Sequence, residues 1–141
     1  MTEATVVPKL VIRGADEAIE FYRKALGAEL ITRYTAGDGT VVYAELRIGA
    51  STINVKDEDS YDAAATTLGG SAIILTLNVD DPDAVAQAVL DAGGSEVFPV
   101  GDMAYGYRQG RVKDPYGYQW IVSRPTENLS DAHVQARLAD N

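Results

Sequence analysis

Apolar and polar residues alternate along this chain with two different spacings, and the order in which those spacings follow one another occurs twice. Residues 5–13 (TVVPKLVIR) read as a strand, with Leu10 and Ile12 set against Lys9, Val11 and Arg13. From Ala15 to Leu26 the spacing widens to that of a helix. Ala18, Ile19, Tyr22, Ala25 and Leu26 form one stripe, Asp16 stands where a cap or a first-turn acid is favoured, and Gly27 follows where a left-handed residue ends a helix. Three strand-like runs come next, at 29–34, 40–48 and 51–56. Gly37-Asp38-Gly39 and Gly49-Ala50 join them as hairpin turns. The first half therefore reads β-α-β-β-β.

A mostly polar connection, about 58–70, separates this half from a second one. Residues 71–79 are predicted as a strand, with Ile73, Leu75, Leu77 and Val79 on the face that packs on the helices. Asp81-Pro82 opens a helix whose stripe is Val85, Ala88, Val89 and Ala92, and Gly93-Gly94 ends it. Strands at 96–100, 107–113 and 118–123 follow, the last two joined by the turn Asp114-Pro115-Tyr116-Gly117. The second half again reads β-α-β-β-β. A module of this size is marginal alone, whereas two can share a core. The expected fold is a single α+β domain of two βαβββ modules, about 5–57 and 71–125, packed into a curved mixed sheet around a central cavity. In the tail, 126–141, Ser130 is placed to cap a short helix through Ala139, with Val134 and Leu138 four apart. The alternative is a frayed end.

Composition narrows the function classes. A hydrophobic content of 46% supports a core. No apolar run approaches the roughly 20 residues that span a bilayer, and the first residues lack the pattern of a signal peptide. The absence of cysteine excludes disulfides and thiolate metal sites and fits a cytoplasmic protein. The net charge of −9 disfavours nucleic acid and suits a neutral or cationic small molecule, or serves only solubility. Nucleophilic triads lack their histidine, since His133 is the only one and lies in the tail. Asp57-Glu58-Asp59 and Asp80-Asp81 fall on a linker and at a helix start, where solvation and capping are the ordinary roles.

Three stretches carry a resemblance. They are Ala18-Ile19-Glu20-Phe21-Tyr22 with Leu26-Gly27-Ala28, then Val79-Asp80-Asp81 before the second helix, and the run from Gly106 to Trp120, GYRQGRVKDPYGYQW. The last is similar to a "YGxRxGRVxDPFGHxW" signature. Together with the repeated module they resemble the vicinal oxygen chelate superfamily of glyoxalases, bleomycin resistance proteins and extradiol dioxygenases, over about residues 5–125. The resemblance implies four metal-ligand positions, one per strand, usually His and Glu. They fall at about Val7, Asn54, Ile74 and Ile121 here, and a shift of one residue brings Pro8, Ile53, Ile73 or Trp120. Tyr43 and Tyr118 stand where related sequences often carry histidine. No metal and no other cofactor is expected.

Strand alternation sorts the cavity face from the helix face. From the first module it selects Tyr43, Glu45 and Asn54, beside Val7, Lys9, Val11, Arg47 and Thr52. From the second it selects Ile74, Thr76, Tyr107, Gln109, Arg111 and Ile121, with Gln119; Met103 and Tyr105 belong to the preceding loop. Aromatic walls with scattered polar groups suit a flat organic ligand. Each tyrosine has a plain alternative as a sheet residue, and Trp120 is expected beneath the second helix. The leading expectation is a metal-independent, homodimeric protein that sequesters a small aromatic, neutral or cationic molecule such as an antibiotic. The alternative is a glyoxalase-like lyase, isomerase or dioxygenase acting on a small oxygenated substrate: either a metal-free lyase or isomerase with Tyr43, Glu45 or Arg111 as acid/base groups, or a metal enzyme whose ligands lie at other positions. A surface-interaction or regulatory protein is a third.

Overall fold

The computed structural model describes residues 2–140. Its backbone divides into two compact units, one ending at Ser71 and the other beginning at Ala72. Each holds one four-stranded mixed sheet.

The first unit runs β1 (Lys9–Ile12), α1 (Ala15–Leu26), β2 (Glu29–Thr35), β3 (Val41–Ile48) and β4 (Ser51–Asp57). The sheet order is β1-β4-β3-β2, with β1 parallel to β4 and the other pairs antiparallel. Leu10, Ile12, Leu46 and Val55 share the face that α1 covers with Ile19 and Tyr22, all of them buried. Gly14 occupies the N-cap of α1 and has no side chain to offer. Asp57 fills that role from β4: Oδ1 accepts the Ala15 N–H and Oδ2 the Val41 N–H, both at 2.8 Å. Asp16, in the first turn of α1, pairs instead with Arg33 of β2. Strand β1 is shorter than the sequence suggests. Pro8 has no N–H to give a ladder, and only its carbonyl takes part, accepting from Asn54 at 2.9 Å.

The polar connection after β4 has a structure of its own. Glu58 accepts the Ala64 N–H at 3.2 Å and the Thr67 hydroxyl at 2.7 Å, fixing a short helix, α2 (Ala65–Leu68). The buried Lys56 ammonium lies 2.7 Å from both Asp59 and Asp62. Local side-chain hydrogen bonds thus order a stretch with almost no apolar pattern.

The second unit runs β5 (Ile74–Asn78), α3 (Pro82–Asp91), β6 (Ser95–Asp102), β7 (Tyr107–Lys113), β8 (Gln119–Pro125) and α4 (Asp131–Ala139). Its sheet order, β5-β8-β7-β6, repeats the first pattern, with β5 parallel to β8. The Asp81 side chain accepts the Ala84 N–H at 3.1 Å and starts α3. Val112, Trp120 and Val122 are buried, as are Ala86 and Val89 of α3. Arg108 extends from the same sheet face to Asp83 of α3 at 2.7 Å. Trp120 thus lies where the alternation put it. Ile73 does not: it precedes β5 and is 63% exposed. The tail is helical, with the Ser130 hydroxyl accepting the His133 N–H at 3.1 Å, yet α4 buries none of its residues. Among the described residues no helix is long and apolar enough to cross a membrane.

Candidate functional site

The register of the second sheet fixes which side chains share a face. Arg111 is opposite Ile121 on β8 and Phe98 on β6, Gln109 is opposite Ser123, and Thr76 is opposite Ile121. All of these lie on the side away from Val112, Trp120 and Val122, because successive strand residues alternate. Over them sits the turn that links β6 to β7, closed by the Gly106 N–H donating to Met103 O at 3.1 Å.

A cavity of about 440 Å³ opens between this turn and the sheet. Phe98, Pro99, Met103, Tyr105 and Ile121 give it apolar walls, and Gln109 and Arg111 supply polar groups. The volume falls within the range of small-molecule sites. Gln109 is held from two sides: its amide nitrogen donates to the Tyr105 hydroxyl, and its carbonyl oxygen accepts from Ser123 Oγ at 3.1 Å. The Arg111 guanidinium carbon lies 5.3 Å from the centre of the Phe98 ring, a cation–π contact, and Nη1 donates to Gln119 Oε1 at 3.2 Å. Its Nε–H is buried without a partner.

A second, outer hollow of about 760 Å³ lies under α4. Tyr105 borders both, and its ring centre is 6.1 Å from that of Tyr107, which faces the outer one. Leu129, Val134 and Leu138 give this hollow its apolar side, and Glu127 and Asp131 its acidic rim.

Of the second-half residues selected from the sequence, Met103, Tyr105, Gln109, Arg111 and Ile121 therefore meet around one cavity. Tyr107 belongs to the outer hollow. Thr76 and Ile74 continue the same sheet face without lining the inner cavity. Phe98 and Pro99 escaped the sequence reading. Strand β6 departs from regular register between Glu96 and Phe98 and again between Phe98 and Gly101, so simple alternation could not assign its faces.

In the first unit Glu45 is opposite Asn54, and Tyr43 is opposite Tyr34. Tyr43, Glu45 and Asn54 share one face and are each partly exposed. Tyr34 stacks on Tyr43 with ring centres 5.7 Å apart, and the Lys9 ammonium lies 5.9 Å from the Tyr43 ring centre. Asn54 Oδ1 is buried without a donor.

The metal chemistry of related folds needs a donor set that these residues do not provide. Val7, Ile74 and Ile121 have no ligating atom, and Asn54 offers one neutral carbonyl. Among the described residues no group of three or more His, Cys, Asp or Glu is placed to hold a metal ion. The run from Gly106 to Trp120 serves two ends: Gln109 and Arg111 line the cavity, while Asp114 and its turn order the β7–β8 hairpin.

Known proteins share this architecture. An uncharacterized protein of Mycobacterium bovis is 33% identical over 142 residues, covering 97% of this chain and 93% of its own. A crystallised gene product of Arabidopsis thaliana superposes with a TM-score of 0.71 at 26% identity, covering 87% of this chain and all of its own. TioX from Micromonospora shares the fold with a TM-score of 0.68 at 24% identity, over 90% of this chain and all of that one. The sequence pattern of the Glyoxalase/Bleomycin resistance protein/Dioxygenase superfamily matches residues 5–122, and this chain belongs to that superfamily.

Proposed function

We propose that this chain is a metal-independent binding protein of the cytoplasm that holds a small aromatic molecule, such as an antibiotic, without transforming it. The observation that carries this reading is the cavity of about 440 Å³ in the second unit. Its walls offer an aromatic face at Phe98 and Tyr105, a pliable thioether at Met103, and two fixed polar groups at Gln109 and Arg111. Flat ligands are held by such faces and oriented by such groups. The donor set around the family's metal positions supports a role that needs no metal.

The proposal includes a homodimer. Ile74 and Phe98, on the edge strands β5 and β6, are 42% and 56% exposed, and covering such residues is a common use of a second copy. Sedimentation at micromolar concentration tests this part, and a monomer there removes it.

Thermal denaturation in the presence of aromatic antibiotics and related compounds, each with and without Ni, Zn, Fe or Mn, tests the binding itself. A ligand that binds only the folded state raises its stability by RT ln(1 + [L]/Kd), so a genuine guest raises the melting temperature. If the metals raise it and no aromatic compound does, the reading fails.

A further inference from the structure

We infer that the cavity of the second unit takes an aromatic molecule carrying an anionic oxygen group, a carboxylate above all, and that Arg111 is the residue that receives it. The inference rests on the binding reading above and names the ligand's chemistry.

Two arginines on β7 show the contrast. Arg108, on the helix-facing side, is matched by two carboxylates, with Nε and Nη2 donating to Asp83 at 2.7 and 2.8 Å and Nη1 to Asp102 at 3.2 Å. Arg111, on the cavity side, has no carboxylate partner among the described residues. Its guanidinium donates instead to the neutral amide oxygen of Gln119. Its guanidinium carbon lies 5.3 Å from the centre of the Phe98 ring, and its Nε–H is buried and unpaired. The other residues that line the cavity are uncharged.

A half-buried cation without a counter-ion is unfavourable, and the imbalance is removed when a ligand brings the negative charge. Guanidinium is suited to that role, since its planar fork pairs with the two oxygens of a carboxylate. The contact with Phe98 and the hydrogen bond to Gln119 restrain the side chain before the ligand arrives, which lowers the ordering cost of binding. The apolar walls then take the ring system. The net charge of −9 describes the chain as a whole, whereas the charged group at the cavity is positive.

The test is a calorimetric comparison, at fixed ionic strength, of aromatic carboxylic acids of one to three rings with their methyl esters and the matching arylmethyl amines. The wild-type protein is expected to bind the acids at least about tenfold more tightly than the esters or amines, the scale of one charge-assisted contact. Arg111→Met keeps most of the side-chain stem and removes the charge. It is expected to bring the acids down to the affinity of the esters. Esters or amines that match the acids on wild-type protein overturn the anionic assignment and leave aromatic binding standing. A panel in which nothing binds overturns both. The wild-type comparison decides the matter even if the variant does not fold.

Discussion

Asp114 Oδ2 lies 2.9 Å from the indole nitrogen of Trp120, while Oδ1 accepts the backbone N–H groups of Tyr116 and Tyr118 at 2.9 and 3.0 Å. One buried carboxylate thus closes the turn between β7 and β8 and anchors the largest side chain of the second core. Asp114→Ala removes the acceptor that these three donors share, the buried indole N–H among them. It is expected to cost about 2–4 kcal/mol, the range for breaking a buried charge-assisted network. Asp114→Asn keeps an acceptor for the backbone but turns an amide donor toward the indole donor, so a smaller loss is expected. Urea unfolding measures both; an alanine variant as stable as wild type would refute the anchoring role.

Gly110 marks a place where two strands leave no room. A Cβ built there would come within 2.7 Å of Val100 Cγ2 and 2.8 Å of the Val100 nitrogen. The second contact is with backbone, which cannot swing aside as a side-chain tip can. Gly110→Ala should therefore push β6 away from β7 and cost about 1–3 kcal/mol, as overpacking does. Phe98 and Pro99, just before Val100, form part of the cavity wall, so ligand affinity should fall together with the melting temperature. A loss of stability with unchanged binding would show that the wall is independent of the β6–β7 spacing.

The positions where sequence reasoning succeeded and failed have physical causes. Helix α1 was legible to the residue because its apolar stripe, its early acids and Gly27 all agree. Strand β7 was equally clear, and alternation along it assigned Gln109 and Arg111 to the cavity face, opposite the buried Val112. Alternation failed along β6, where two irregularities in pairing break the period that assigns faces, and so Phe98 was missed. The short helix α2 was missed for another reason. It is held by Glu58 through side-chain hydrogen bonds, which leave no periodic trace. The distribution of charge was hidden as well. Net charge suits a neutral or cationic guest or only solubility, and it carries no information on which arginine finds a carboxylate and which does not.

The knot around Lys56 should make stability depend on pH at both extremes. Asp59 is held below its ordinary 3.8, at about 2, first by the hydrogen bond from Lys56 and then by the backbone N–H groups of Asp62 and Tyr61. A folded value below the unfolded one means that this contribution is complete above the unfolded value. It is lost as pH falls through 3.8 toward about 2. Lys56 is raised above its ordinary 10.5 by Asp59 first and Asp62 next, so its contribution is complete below 10.5 and lost as pH rises beyond. Asp59→Asn should be less stable than wild type at neutral pH, with the gap closing as the solution is acidified through that window. A gap that stays constant in acid would mean that the ion pair is not its source.

Helix α4 should be separable from the rest of the second unit. It buries no residue, and a main tie is Arg137, which donates to Ala104 O at 3.1 Å and to Glu127 at 3.0 and 3.2 Å. That pair is largely solvated, so Arg137→Ala should change global stability by no more than about 1 kcal/mol. Its effect should be local. Ala104 belongs to the turn that carries Met103 and Tyr105, and Tyr105 borders both hollows. Removing the guanidinium should therefore speed amide hydrogen exchange over 131–139 and over the turn at 103–106, while α3 and β8 keep their protection. It should also weaken ligand binding modestly, through a faster off-rate, because the Tyr105 wall is less firmly placed. Faster exchange in α4 alone would show that the helix covers the turn without positioning it. Unchanged exchange in both segments would show that Arg137 is not what holds them.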